Sequence, residues 1–348
     1  MFKRIKDGNL SKKILLVGDN LPSQINGVVT TYKNLEPYAI RDGYTFHYIH
    51  PGLYRNFNCP GYNEVKLAYP KNIGQTIQEI CPDHIHIQTE GPVGLCARQY
   101  LDKHGYRYNT AYHTKFPEGI KKLFGIPEAL TWPLVRWFHK HSGKVLTTTD
   151  SMVKELRDHG FDGDIISWTR GVDRDIFYPS NSFTNTGILL CVSRVSREKN
   201  LEDFFKLDYP GYRKVMVGDG PMLETYQHQY PDVEFVGYKT GKELADYYRQ
   251  ADVFVFPSQW ETFGIVMIEA MACGTPVAAY NCQGPKDVID QGVTGFMVEA
   301  SEGLKVAVDK CLEINRNDVY RVSQRWSWHR AWEIFRDNLV EKYPASIE

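Results

Sequence analysis

The 348-residue chain has no apolar run near the ~20 residues that a membrane-spanning helix needs, so it is expected to be soluble or attached at most to a membrane surface. Its net charge is -1, from 41 Lys and Arg against 42 Asp and Glu, which offers nucleic acid no global attraction. Cysteine pairs at metal-binding spacing are also missing. Cys59, Cys81, Cys96, Cys191, Cys273, Cys282 and Cys311 form no C-x-x-C motif and are odd in number. That pattern argues against a zinc site and for reduced, buried thiols in a cytoplasmic protein. The first stretch, MFKRIKDGNLSKK, carries basic residues without an apolar centre, so no signal peptide is read there.

What is present is an alternation of short apolar runs and helical segments. Lys12–Gly18, Tyr44–His50, His84–Thr89, Tyr108–Thr114, Lys144–Thr149 and Asp164–Thr169 read as strands of one sheet. Ile188 opens a second series that continues through Lys214–Val217, Val233–Gly237, Val253–Phe256 and Pro276–Tyr280. Strands alternating with helices predict an α/β chain with parallel, doubly wound sheets, whose ligands gather beyond the C-terminal strand ends. Asn26-Gly27, Glu90 and His113 all fall on that rim in the first half. The polar, turn-rich segment Pro179–Gly187 is the expected domain boundary. This gives a domain over 1–178, a second over 187–322, and a C-terminal helix over 323–348 that crosses back to the first. Its aromatic stripe, Trp326, Trp328, Trp332 and Phe335, is either ordinary packing or the means of attachment.

The richest stretch is Val253–Val277. An unbroken β-rich run ends at Pro257-Ser258, and from Phe263 apolar residues recur at helical spacing until Gly274 stops the helix. Glu261 stands just before that helix and Glu269 about two turns inside it, differing by roughly 80° around an ideal axis. Between them are backbone amides at a helix N-terminus, which attract anions. The set suits a nucleotide sugar, with amides for the diphosphate and carboxylates for sugar and ribose hydroxyls; two solvated glutamates on a surface helix are the alternative. Arg194 and Lys199, on the loop after the Ile188 strand, are either a diphosphate clamp or surface charges.

Residues 115–144 have a different character. Lys121, Lys122, Arg136, Lys140 and Lys144 interleave with Phe124, Trp132, Trp137 and Phe138. Such a stretch either lies in a membrane interface or forms two helices with aromatics inside and lysines in water.

With these residues laid out, the chain resembles the family 4 retaining glycosyltransferases of the GT-B type. The resemblance covers nearly all of it and rests on the order and spacing of several motifs: Asn26-Gly27-Val28, Thr89-Glu90-Gly91-Pro92, Tyr112-His113-Thr114, Arg170-Gly171-Val172-Asp173, Val192-Ser193-Arg194 with Lys199, Val217–Pro221, and Glu261-x7-Glu269. It implies two Rossmann-like domains facing each other across a cleft, with acceptor on the first and nucleotide sugar on the second. It further implies that Glu269 binds the ribose, Glu261 the transferred hexose, and the Phe263, Gly264 and Ile265 amides the diphosphate. Arg194 and Lys199 would neutralise the leaving diphosphate and His113 would line the reacting face. Val236 and Gly237 would lie by the base, and Gly27 would approach the phosphate through its backbone. Asn26 replaces the first glycine of the commoner pattern. Glu90, Lys121 and Lys122 are the acceptor-side candidates.

The expected activity is therefore transfer of a hexose, with retention, from a UDP- or GDP-linked sugar to a lipid headgroup or glycan. The nucleotide sugar is a co-substrate, and neither cofactor nor metal is expected. An anionic membrane surface is a candidate partner, on the cytoplasmic side. The competing readings are a nonhydrolysing UDP-sugar 2-epimerase and a catalytically inactive nucleotide-sugar-binding partner.

Overall fold

The computed structural model of the chain describes residues 11–24, 26–59, 62–113 and 115–343, with the side chains at 59, 62–65 and 122–124 outside the description. It divides into two compact units, 1–169 with 329–348, and 170–328.

The first unit is built on β1 (Lys12–Val17), β2 (Tyr44–Ile49), β5 (His84–Ile87), β6 (Asn109–Tyr112), β7 (Val145–Thr147) and β8 (Ile165–Ser167), with a small antiparallel pair β3 (Phe57–Cys59) and β4 (Tyr62–Leu67) beside it. The main sheet is parallel in the order β2-β1-β5-β6-β7-β8. Ile14–Val17 are fully buried because helices cover both faces of the sheet, which is why this strand reads as an unbroken apolar run rather than an alternating one. Chain order reverses on either side of β1, so the loops after β1 and β5 flank the switch point where open α/β sheets hold ligands.

The second unit repeats the plan with β9 (Ile188–Val192), β10 (Arg213–Val217), β11 (Val233–Gly237), β12 (Val253–Phe256), β13 (Val277–Tyr280) and β14 (Gly295–Val298). The order is β11-β10-β9-β12-β13-β14, all parallel, and the switch point lies between β9 and β12. The helix Ile265–Ala272 packs with Met267, Ile268, Ala270 and Met271 wholly buried in the core of this unit.

The units divide ahead of the expected Pro179–Gly187 segment. Val172 and Phe177 are buried in the core of the second unit, so the chain has already joined it there. The C-terminal helix Trp328–Asp337 returns to the first unit from His329 onward. Its Trp332 and Phe335 are fully buried. The Trp332 and Arg336 nitrogens donate to Asp42 at 2.7 and 2.8 Å, and Trp168 donates to the Ala331 carbonyl at 2.8 Å. Cys191, Cys273 and Cys311 are buried free thiols. Among the described residues, no helix is long and apolar enough to cross a membrane.

Candidate active site

In the second unit two loops meet at the switch point. The loop leaving β9 makes a short 3-10 turn, Arg197–Lys199, closed by Asn200 in the left-handed region at φ 52°. The Asn200 amide donates to Asp203 Oδ2 at 2.6 Å and to the Pro257 carbonyl at 3.3 Å, and Tyr280 donates to the same Asp203 oxygen at 2.7 Å. That network ties the β9 loop to the end of β12 and delivers Lys199 to Glu261, Nζ to Oε2 at 3.1 Å. Both side chains keep about a fifth of their surface in solvent, 23% and 21%.

Glu261 is also held from its own loop, where Oε1 accepts from the Thr262 amide at 3.0 Å. Gly264 follows at φ 82° as the N-cap of the helix Ile265–Ala272, a conformation that a side chain resists. The amides of this helix start therefore lie on the same loop as Glu261. The loop after β13 closes on the other side: a Cβ at Gly284 would stand 3.3 Å from Glu261 Cβ and Cγ.

Glu269 sits on the same helix and receives the Tyr248 hydroxyl at 3.1 Å. Desolvation pushes its carboxyl up to about 7, and the Tyr248 bond offsets only part of that. Tyr238, half exposed, feels this carboxylate too: burial first and the Glu269 charge second raise its phenol. Gly237 precedes it at φ 73°, with no heavy atom within 4 Å of where a Cβ would stand. Val236, Gly237 and Tyr238 thus form an open edge beside Glu269.

Arg194 is exposed on the β9 loop. The Val217–Pro221 motif holds that loop. Gly218 leaves room for the Ser193 carbonyl, which would stand 1.8 Å from a Cβ, and Val195 and Asp219 bond through their backbones at 2.9 Å.

In the first unit His113 directly follows β6 and is almost buried, its Nε2 3.2 Å from the Tyr32 hydroxyl. Tyr32 also reaches the buried His86, at 2.8 Å. Asn26 supplies what a glycine could not: its Oδ1 caps the helix Gly27–Arg41 by accepting from the Val29 amide at 3.0 Å, while its amide donates to Asn20 at 3.0 Å. Gly27 has no heavy atom within 4 Å of a would-be Cβ. Asp19 binds the first loop to the Thr89–Pro92 motif, accepting from Thr89 Oγ1 and the Val93 amide, each at 2.8 Å. Burial raises its carboxyl to about 6.

Glu90, the acceptor-side candidate, pairs its carboxylate with the buried His139 at 3.2 Å, and His139 is braced in turn by Thr110 at 2.7 Å. Lys121 is exposed and pairs with Glu128 at 2.8 Å. The Lys122 side chain and Thr114 lie outside the described residues. The basic-aromatic stretch divides its residues unexpectedly. Trp132 and Phe138 are buried, and the row left to solvent is Ile126, Leu130, Leu134 and Trp137. Sequence reading missed Asn200, Tyr238, Tyr248, Gly284 and Asp19; of these, only the Asn after Lys199 and the Gly-Pro at 284–285 carry a local signal, as turn formers.

Two family models match the chain: Glycosyltransferase Family 4 over residues 25–176 and Glycosyl transferases group 1 over residues 173–325. A GDP-mannose-dependent alpha-mannosyltransferase from Mycobacterium tuberculosis is 30% identical over 278 residues, covering 76% of this chain and 73% of its own. One of the same description from Corynebacterium glutamicum is 26% identical over 374 aligned residues, 96% and 89% of the two chains. Among solved structures, a sucrose-phosphate synthase from Thermosynechococcus elongatus superposes with a TM-score of 0.76 at 20% identity, covering 94% of this chain and 98% of that one. HepE from Anabaena, in complex with UDP and glucose, gives 0.72 at 15% identity with the same coverage.

Proposed function

The chain belongs to the family 4, group 1 glycosyltransferases, with two Rossmann-like domains of the GT-B fold, and from that premise we propose that it moves a hexose from a nucleotide sugar to a lipid headgroup, with retention and without a metal ion. The observation that carries this reading is the meeting of Lys199, Glu261 and the helix start at Gly264, with Glu269 farther along the same helix.

In the proposed mechanism the amides of Phe263, Gly264 and Ile265 receive the diphosphate, and Glu269 accepts the ribose hydroxyls. Lys199, now paired with Glu261, swings its charge to the diphosphate, and Glu261 is released to a hydroxyl of the hexose. Negative charge develops on the departing diphosphate, so cations set beside it, Lys199 and Arg194, act where the transition state differs most from the bound substrate. Those cations and the helix start supply the stabilisation that a metal would otherwise supply. Val236 and Gly237 border the base, with Tyr238 as its aromatic neighbour.

The donor reading is supported by relatives named for GDP-mannose and by HepE, solved with UDP. An alpha linkage in the relatives' names supports retention, given an α-linked donor. The lipid acceptor, and a place on the cytoplasmic membrane surface, rest on the exposed row Ile126, Leu130, Leu134 and Trp137, which repeats at helical spacing with Lys121 and Lys140 nearby in sequence.

The test is incubation with GDP-mannose, UDP-glucose and UDP-galactose, with and without diacylglycerol vesicles, and with added chelator. Nucleotide release stimulated by the vesicles, an α-linked glycolipid product and indifference to chelator are expected. A free epimerised sugar, or no turnover with any donor, overturns the reading, and loss of activity on chelation overturns its metal-free step.

A further inference from the structure

Within the first unit a cavity of about 610 Å³ opens between the helix Glu128–His139 and the end of the helix Asp150–Asp158. On its wall the Trp132 indole lies flat against the His159 imidazole, with centroids 3.7 Å apart and 16° between the planes. His159 Nδ1 donates to the Glu155 carbonyl at 2.8 Å; a carbonyl only accepts, so the neutral ring keeps Nε2 as an acceptor. Arg136 Nη1 donates to the His159 carbonyl at 3.3 Å. Gly160 gives that guanidinium its place, because a Cβ there would stand 2.9 Å from Nη1.

Charge decides what such a cavity can hold. Its two acids are already paired, Glu128 with Lys121 and Asp158 with Lys154, each at 2.8 Å. Arg136 bonds a neutral carbonyl, so among the described residues its charge is left uncompensated. The seat is therefore cationic at Arg136 and rich in acceptors around it, since each carboxylate has lone pairs beyond those its lysine takes. A phosphodiester carrying hydroxyls matches that set: the guanidinium takes the phosphate oxygens and the hydroxyls donate to the acids and to His159. An ammonium headgroup fits less well, because it would have to displace Lys121 and Lys154, whereas a hydroxyl shares the carboxylates with them. The helix also says where such a ligand comes from. At about 100° per residue, Ala129, Pro133 and Arg136 stand on one face, and the exposed Leu130, Leu134 and Trp137 on the next, about 100° around.

We propose that this cavity seats the headgroup of an anionic phospholipid bearing hydroxyls, of the phosphatidylglycerol type. Its phosphate lies on Arg136, and its acyl chains run beside the Leu130, Leu134 and Trp137 row into the bilayer. This lipid differs from a diacylglycerol acceptor in carrying the phosphate that Arg136 requires, and it orients the first unit on the membrane. The inference rests on the membrane reading above and names the lipid that the surface selects.

Calorimetry with dihexanoyl-phosphatidylglycerol below its micelle concentration tests the seat on the full chain without a bilayer. Saturable binding is expected, tighter than for the dihexanoyl forms of phosphatidylethanolamine and phosphatidylserine. Arg136→Gln should weaken it about tenfold to a hundredfold, the worth of a charge-assisted pair. Ala129→Trp fills the cavity from an exposed position and keeps the Arg136 charge, so it should weaken binding as well. Wild-type affinity in both folded variants overturns the proposal, and so does inorganic phosphate binding as tightly as the lipid. Co-sedimentation then separates the seat from the membrane reading. Vesicles of phosphatidylglycerol should bind the chain better than vesicles of phosphatidylserine at equal charge, and Ala129→Trp should erase that difference. Equal binding to both vesicles, unchanged by Ala129→Trp, overturns the seat and leaves the membrane reading standing. Saturable binding of the short-chain lipid with no binding to any vesicle supports the seat, and the membrane reading is what fails.

Discussion

Lys199 Nζ lies 3.1 Å from Glu261 Oε2, and this pair joins the loops after β9 and β12 across the switch point of the second sheet. Each residue satisfies the other until an anion draws the lysine away. Lys199→Ala should therefore lower kcat by about 10²–10³, through lost stabilisation of the departing diphosphate. Arg194→Ala should act in the same direction. Single-turnover rates at saturating donor measure both; near-normal turnover in the two variants would remove the donor from this loop.

The Asn200 turn makes a second, separable prediction. At φ 52° an alanine is strained by about 1–2 kcal/mol, whereas glycine is not. Asn200→Gly keeps the turn but loses the bonds to Asp203 and Pro257. It should melt closer to wild type than Asn200→Ala, yet both should lose kcat because Lys199 is no longer delivered to one place. Wild-type kcat in Asn200→Gly would show that the turn alone positions the lysine.

Glu269 couples stability and donor binding with opposite signs. Its folded-state pKa is raised from 4.5 to about 7 by desolvation. The folded state thus prefers the protonated acid, and its contribution to stability is lost as pH rises from about 4.5 through about 7. Ribose recognition needs the carboxylate, so nucleotide affinity should weaken as pH falls through about 7. Glu269→Gln should weaken nucleotide binding by about 1.5–3 kcal/mol at pH 8 and flatten the profile. Calorimetry from pH 5.5 to 8.5 checks both, and a flat wild-type profile would take Glu269 out of the ribose role.

Leu130 and Leu134 are exposed, so replacing both by Ser should leave the melting temperature unchanged. Binding to vesicles should nevertheless fall, since each leucine seated in an apolar phase is worth about 1.5–3 kcal/mol. Reversing Lys121 and Lys140 to Glu should weaken binding selectively on anionic vesicles, at about 1 kcal/mol per basic residue, and more so at low salt. Co-sedimentation of the Ser variant at the wild-type level would place the membrane contact elsewhere or nowhere.

Six strands of the first sheet and five of the second were legible from local chemistry, as was the order of the motifs, whereas β3, β4 and β14 were not read. Ile14–Val17 and Val253–Phe256 read as doubly buried strands, and they are. Pro257 ends one run and Gly274 ends the next helix, as a missing N–H and a positive φ require. Tertiary structure alone decided which side chains meet. Lys199 and Glu261 are separated by 62 positions, and only strand order places their loops together. Glu90 is a rim residue by sequence, and its partner His139 comes from a helix 49 positions on. Trp132 and Phe138 have the composition of a membrane contact, yet their face of the helix meets the sheet and the Leu130–Leu134 face does not. Periodicity shows that a helix has faces; only the neighbour that arrives from elsewhere in the chain decides which of them is dry.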